Sequence, residues 1–162
     1  MSDGRIPALT LWRPWTACFT ALPEHAAKRH ENRSWGTSYR GPVFLHAGQR
    51  WDSTALQVAR RIVRQFDDGL DVDRLLPAGP AAYPTGVVAV ADLVAVCSLS
   101  RWSASHRCDC GPWAFPGQWH WRFANVRALP EPVPCRGAQQ LWYPPADVVA
   151  AVEAQLAEAV AR

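Results

Sequence analysis

Residues 86–96 read GVVAVADLVAV, a stretch apolar almost throughout and rich in β-branched side chains. A strand with one wet face alternates apolar and polar residues, whereas one without alternation has to be covered on both faces. This stretch is therefore expected to be a central strand of a closed or doubly covered sheet. The rest of the chain must then supply the covering layers. Asp92 interrupts the run, and a carboxylate there is costly unless paired. It is expected to meet an Arg in the core or, failing that, to face a cleft.

Further strands are expected at 8–12 (ALTLW), 29–35, 42–48 (PVFLHAG), 119–126 and 141–143. A short helix around 16–22 follows Pro14, with Thr16 as its cap. The segment 52–66 reads as a longer helix: Thr54 and Gln57 fit a capping box, and Ala55, Val58, Ala59, Ile62 and Phe66 form an apolar stripe. Arg60, Arg61 and Arg64 on its other side read as a solvated face. Between 67 and 85 a surface loop with one helical turn is expected, and 100–118 reads as an irregular segment holding Trp102 and Trp113. Pro144 and Pro145 open a closing helix over 146–161, with Val149, Val152, Leu156 and Val160 inward. About six short strands flanked by helices predict an α+β fold, a small barrel forming one domain over 1–162, because closure removes exposed strand edges.

No apolar run approaches the roughly 20 residues of a membrane span, and the opening MSDGRIPALTLW does not resemble a secretory signal. A cytoplasmic protein without membrane contact is expected. The net charge of +3 permits contact with phosphates without requiring it. The five cysteines are odd in number and scattered, which favours free thiols over a disulfide framework. His106, Cys108 and Cys110 (HRCDC), with Cys97 or Cys135, outline a conceivable zinc site. The spacing is not the usual CxxC, so free thiols, no metal and no cofactor are expected.

The functional centre is expected at KRHENRSW, residues 28–35. Lys28 is the only lysine in a chain that otherwise uses Arg, and a buried lysine can serve as base or nucleophile where an arginine cannot. Lys28 and Arg33 flank Glu31, so the carboxylate can orient both cations toward an anionic or carbonyl-rich ligand. Strand alternation places Glu31, Arg33 and Trp35 on one face, with Lys28 reaching back over them.

KRHENRSW followed by YRGPVFLHAG resembles the signature of the ASCH family, a GxKxxExR motif preceding a strand with RGP and a His. Ala26 stands where the motif has glycine. LTLWRPW, GVVAVADLV and WHWRFANVRALPEPVPCRGAQQLW are similar to bacterial ASCH proteins as well, so the resemblance covers most of 8–142. It implies a PUA-like β-barrel and a nucleic-acid-binding module for RNA, DNA or a modified nucleotide, with the charged motif lining a cleft. In that cleft Lys28, Arg33 and Arg40 would meet phosphate or base edges, Trp35 would stack on a base, and Glu31 would accept from an exocyclic amine. His46 lies near it, and Asn125, Arg127 and Arg136 would form the opposite wall. The alternative is an amidohydrolase acting on N4-acetylcytidine or a related acylated nucleoside, with Lys28 as nucleophile or base and Glu31 as its proton-transfer partner. In such enzymes the resemblance implies a hydroxyl residue where Glu31 stands. No carboxylate cluster suits a two-metal nuclease.

Overall fold

A computed structural model describes residues 4–99 and 108–161. Trp102 and His106 lie outside them. The described elements are β1 (Ala8–Arg13), α1 (Trp15–Thr20), β2 (His30–Arg33), β3 (Gly41–Trp51), α2 (Ala55–Phe66), α3 (Val72–Leu75), β4 (Gly86–Cys97), β5 (Trp119–Val133), β6 (Leu141–Trp142) and α4 (Ala146–Val160), with a 3-10 turn at Pro80–Ala82. The fold is α+β. Six strands in the order β2-β5-β4-β3-β1-β6 form one mixed sheet, curled into a half-barrel. Only β1 and β3 run parallel; the other pairs are antiparallel. The curl has a local cause. Register shifts interrupt the β1–β3, β3–β4 and β4–β5 ladders, and an extra residue on one strand bends it and increases its twist. The barrel expected from the strand count does not close among the described residues, because the short β2 and β6 stand at the two ends of the sheet.

As the missing alternation in 86–96 predicts, β4 is interior and covered on both faces. Leu9, Leu11, Val43, Leu45, Ala89, Ala91, Leu93, Trp121 and Phe123 pack on one face with Phe19 of α1. On the other, Ala8, Phe44, Val87, Val90, Leu129 and Val133 meet Val148 and Val152 of α4. Odd and even neighbours of β1 and β3 part to opposite clusters, as a period of two requires. A third cluster joins Cys18, Ala26, Ala59, Ile62, Val63, Tyr83 and Trp113 beneath α2. It positions the site described below. No helix among the described residues is long and apolar enough to cross a membrane.

Several local expectations are corrected. Thr16 is buried inside α1, whose N-cap is Pro14. Thr54 does occupy the N-cap of α2, but it makes no capping bond; its hydroxyl turns to Asp52 instead. Phe66 and Val160 are exposed because the last turns of α2 and α4 extend past the surface they pack on. The strand expected over 29–35 spans only His30–Arg33, and β5 continues to Val133 rather than stopping at 126. Asp92 accepts a hydrogen bond from Asn125 Nδ2 at 2.8 Å, so its partner is an amide and not an Arg.

Candidate functional site

Lys28 follows a turn in which its own N–H donates to the Cys18 carbonyl at 2.9 Å, so α1 fixes its backbone. Its side chain then runs inward and is 1 % exposed. Nζ donates to the His30 carbonyl and lies 3.3 Å from Glu31 Oε2. Around the amine stand four rings, those of Trp15 and Phe19 at 5.5 Å to centroid, Trp113 at 5.8 Å and Phe115 at 5.9 Å. An ammonium has three donors. Two are taken by these contacts, which leaves one for a ligand.

Two opposing influences set the charge on this amine. Burial, the larger, pushes the Lys28 pKa below its ordinary range, while the Glu31 carboxylate pulls the other way. The Cys18 thiol nearby is pushed up to about 12 by burial and stays protonated. Glu31 is thus the anion on which the charge of Lys28 depends. Its second oxygen lies 3.3 Å from Arg33 Nε, and Arg33 donates onward to the Thr10 carbonyl at 2.8 Å. The arrangement expected of KxxExR, two cations around one carboxylate, is present. Arg33, however, braces Glu31 from behind and is directed to the backbone of β1.

In front of Lys28 opens a pocket of about 280 Å³ lined by Trp15, Lys28, Glu31, Asn32, Asp52, Phe115, Pro116 and Gln118. Its aromatic side is Trp15 and Phe115, set edge to face at 6.0 Å. Trp15 is held by its Nε1 donating to Asp52 at 2.9 Å. Burial works against the charge on Asp52, but hydrogen bonds from Thr54, Trp15 and Ala55 outweigh it and keep its carboxyl below the usual range. Asn32 fixes the opposite loop: Nδ2 donates to the Trp113 carbonyl at 2.9 Å, and Oδ1 accepts from the Phe115 N–H at 2.7 Å. A backbone segment without regular structure is thereby clamped by one side chain.

The residues expected to form a single cleft separate into different places. Lys28 and Glu31 line the pocket. Trp35 does not: it sits edge-on to Trp121 with centroids 4.6 Å apart, and its carbonyl accepts from Trp121 Nε1. It lies beyond the end of β2, so strand alternation no longer governs it. Arg40 is exposed and donates to the carbonyls of Thr37 and Tyr39, closing its own turn. Asn125 has φ 51° and bonds Asp92, while Arg127 is exposed on β5 opposite Val90. His46 and Arg136 instead line a larger groove of about 860 Å³ with Trp12, Arg50 and Gly137. There His46 Nε2 donates to the Cys135 carbonyl at 3.0 Å, and Nδ1 lies 3.2 Å from the Thr10 hydroxyl, which accepts from Trp142 Nε1 at 3.0 Å. Both ring nitrogens are engaged, a structural role for this histidine.

Sequence reasoning missed Trp15, Asn32, Asp52, Phe115 and Gln118. Trp15 carried a faint signal, an aromatic directly after the Pro that turns the chain. The others are assembled by packing alone. It also missed His120, which a strand pattern conceals: with Cys97, Cys108 and Cys110 it forms a group whose ligand atoms all lie within 4.8 Å of one another. Cys135 belongs elsewhere, beside His46. No protein-family model matches this chain, and no curated protein matches it.

Proposed function

We propose that this protein is a nucleic-acid-binding module of the PUA-like kind, related to ASCH domains, whose Lys28 pocket takes a single base. The observation that carries this reading is the buried Lys28–Glu31 pair at the back of a small pocket with an aromatic side. About 280 Å³ is at the lower end of small-ligand sites and suits one base or nucleoside, not a duplex. Trp15 and Phe115 offer π-surfaces. The remaining Lys28 donor suits a ring carbonyl, and Glu31 suits an exocyclic amine, a pairing that cytosine and its derivatives satisfy together. The larger groove favours a strand outside the pocket: Trp12 is exposed with Arg50 stacked over it at 5.1 Å, and Arg136 lies on the same groove.

A second reading is favoured by the Lys28–Glu31 pair at 3.3 Å, in which burial eases loss of the amine's proton and the carboxylate can relay it. A neutral amine can take a proton from water as that water attacks the acetyl carbonyl of N4-acetylcytidine. The C–N bond then breaks, the cytosine nitrogen takes up the proton, and acetate and cytidine are released.

One titration tests both. Tryptophan fluorescence is followed while nucleosides, N4-acetylcytidine and short oligonucleotides are added, with acetate release monitored in parallel. Saturable binding of a nucleoside, abolished in Lys28→Met, is expected. Oligonucleotides should bind with a steep salt dependence that Arg50→Ala with Arg136→Ala flattens, leaving nucleoside binding unchanged. No binding of any nucleoside or oligonucleotide sinks the module reading. The hydrolytic one fails if acetate release is absent or survives Lys28→Met.

A further inference from the structure

We infer that Cys97, Cys108, Cys110 and His120 form a structural zinc site that staples the long β4–β5 connection to the sheet. Cys97 ends β4, and His120 is its cross-strand partner near the start of β5. Directly opposed residues on antiparallel strands project to the same face, so the two side chains meet for reasons of register alone. Cys108 and Cys110 return over them from the connecting loop. The Cys108 Sγ lies 3.1 Å from His120 Nδ1, and all four ligand atoms fall within 4.8 Å of one another. A tetrahedral zinc with bonds of about 2.3 Å to sulfur and 2.0 Å to nitrogen sets its ligand atoms roughly 3.5–3.8 Å apart. The ion requires edges as wide as 4.8 Å to contract by about an ångström and the Cys108–His120 edge to open by a few tenths.

A second observation points to the same use. His120 Nε2 lies 2.6 Å from the Phe115 carbonyl. A carbonyl can only accept, so the proton is on Nε2 and the lone pair on Nδ1 faces the thiols. That is the tautomer, and the outer hydrogen bond, that a metal-binding histidine needs. His120 is buried and the three cysteines are half-buried, which places the charge of the ion away from bulk water. Among the described residues the donors are three sulfurs and one imidazole, a set that selects a borderline-soft ion such as zinc over magnesium or calcium. On binding, each coordinating thiol loses its proton to solvent as the Zn–S bond forms. The spacing, C-x10-C-x-C-x9-H, belongs to no simple sequence pattern, because the ligands come from two strands and a loop.

The site also bears on the pocket. The carbonyl that orients His120 belongs to Phe115, whose ring is in the pocket wall and whose N–H is held by Asn32. Metal at one end and Asn32 at the other would fix the wall between them.

The test requires no nucleobase, so its outcome is independent of the function proposed above. Reduced, metal-free, full-length protein is titrated with Co²⁺ and followed by absorbance. We expect one ion per chain, with thiolate-to-cobalt charge-transfer bands and tetrahedral d–d bands, displaced by Zn²⁺. Cys110→Ser should cut the charge-transfer intensity by about a third, as one thiolate of three is lost. For the wild type, chelation should lower Tm and Zn²⁺ restore it, a reading that does not depend on any variant folding. Failure of the reduced wild type to take up a stoichiometric ion, weak octahedral bands without charge transfer, or spectra unchanged in both Cys110→Ser and His120→Gln would each overturn the assignment.

Discussion

Lys28 shows how one residue's neighbours determine its chemistry. Four rings and a carboxylate surround an amine whose pKa burial lowers and Glu31 raises. Replacing Glu31 by Gln removes the anion while leaving the amine buried, and breaking a buried pair costs about 3 kcal/mol or more when the remaining charge has nowhere to go. Lysine has an exit, because it can lose its proton. Its folded-state pKa already lies below the ordinary value, mainly through burial, and without Glu31 it should fall further. Below the folded-state value both folded and unfolded chains carry the proton, and the penalty is full. Between that value and about 10.5 the unfolded chain binds more protons, so stability rises with pH. Glu31→Gln should therefore be markedly less stable than the wild type near neutrality, with a deficit that narrows toward pH 10. Urea unfolding at several pH values measures it, and a deficit independent of pH would contradict this account of Lys28.

At the scale of elements, the pocket depends on an edge strand holding a loop. β2 is four residues long, yet Asn32 on it makes two bonds to residues 113–115. Asn32→Asp keeps the acceptor for the Phe115 N–H and loses the donor to the Trp113 carbonyl, putting an anion against that oxygen. It should cost about 1–3 kcal/mol and weaken ligand binding more than it lowers stability, since the wall loosens while the two clusters that pack the sheet are untouched. Equal loss in both would show that the clamp has no specific bearing on the pocket. A different constraint operates at the start of β4. Gly86 has φ +110°, and a Cβ there would lie 2.4 Å from the Val133 carbonyl oxygen. Gly86→Ala should lower stability by more than the 1–3 kcal/mol of backbone strain alone, because the β4–β5 ladder has to separate to admit it. Thermal unfolding reads this directly; a change under 1 kcal/mol would mean that the ladder end yields freely.

For the molecule as a whole, the half-buried His30 and the buried His46 lower stability in acid. Burial pushes His30 down to about 4, helped by the positive fields of Lys28 and Arg122. His46 is lowered by burial, partly offset by the Cys135 carbonyl. Both are neutral in the folded chain where the unfolded chain begins to protonate near 6.5. Unfolded protein thus binds more protons between 6.5 and about 4, and stability falls as pH drops through that window. Tm should decline steadily from pH 7 to 4.5, and His46→Gln should lessen the decline; an unchanged Tm over this range would refute it.

Much of this architecture is legible in the one-dimensional pattern. The unalternating run of β4 announces a doubly covered strand, the apolar stripes of α2 and α4 announce part of their packing faces while missing the buried Val63 and Val148, and the spacing of Lys28, Glu31 and Arg33 announces a paired carboxylate. These follow from local periodicity and from the reach of side chains a few residues apart. What periodicity does not contain is which distant segments meet. Trp35 was a plausible stacking surface until Trp121 claimed it, and Trp15 and Phe115 reached Lys28 from both sides of the chain. His120 came to face Cys97 only because the β4–β5 register, shifted three times along its length, set them opposite each other. Register and loop return are fixed by the packing of the entire core, so the charged trio belonged to the sequence, whereas the pocket around it and the four-ligand cluster were decided by the tertiary fold.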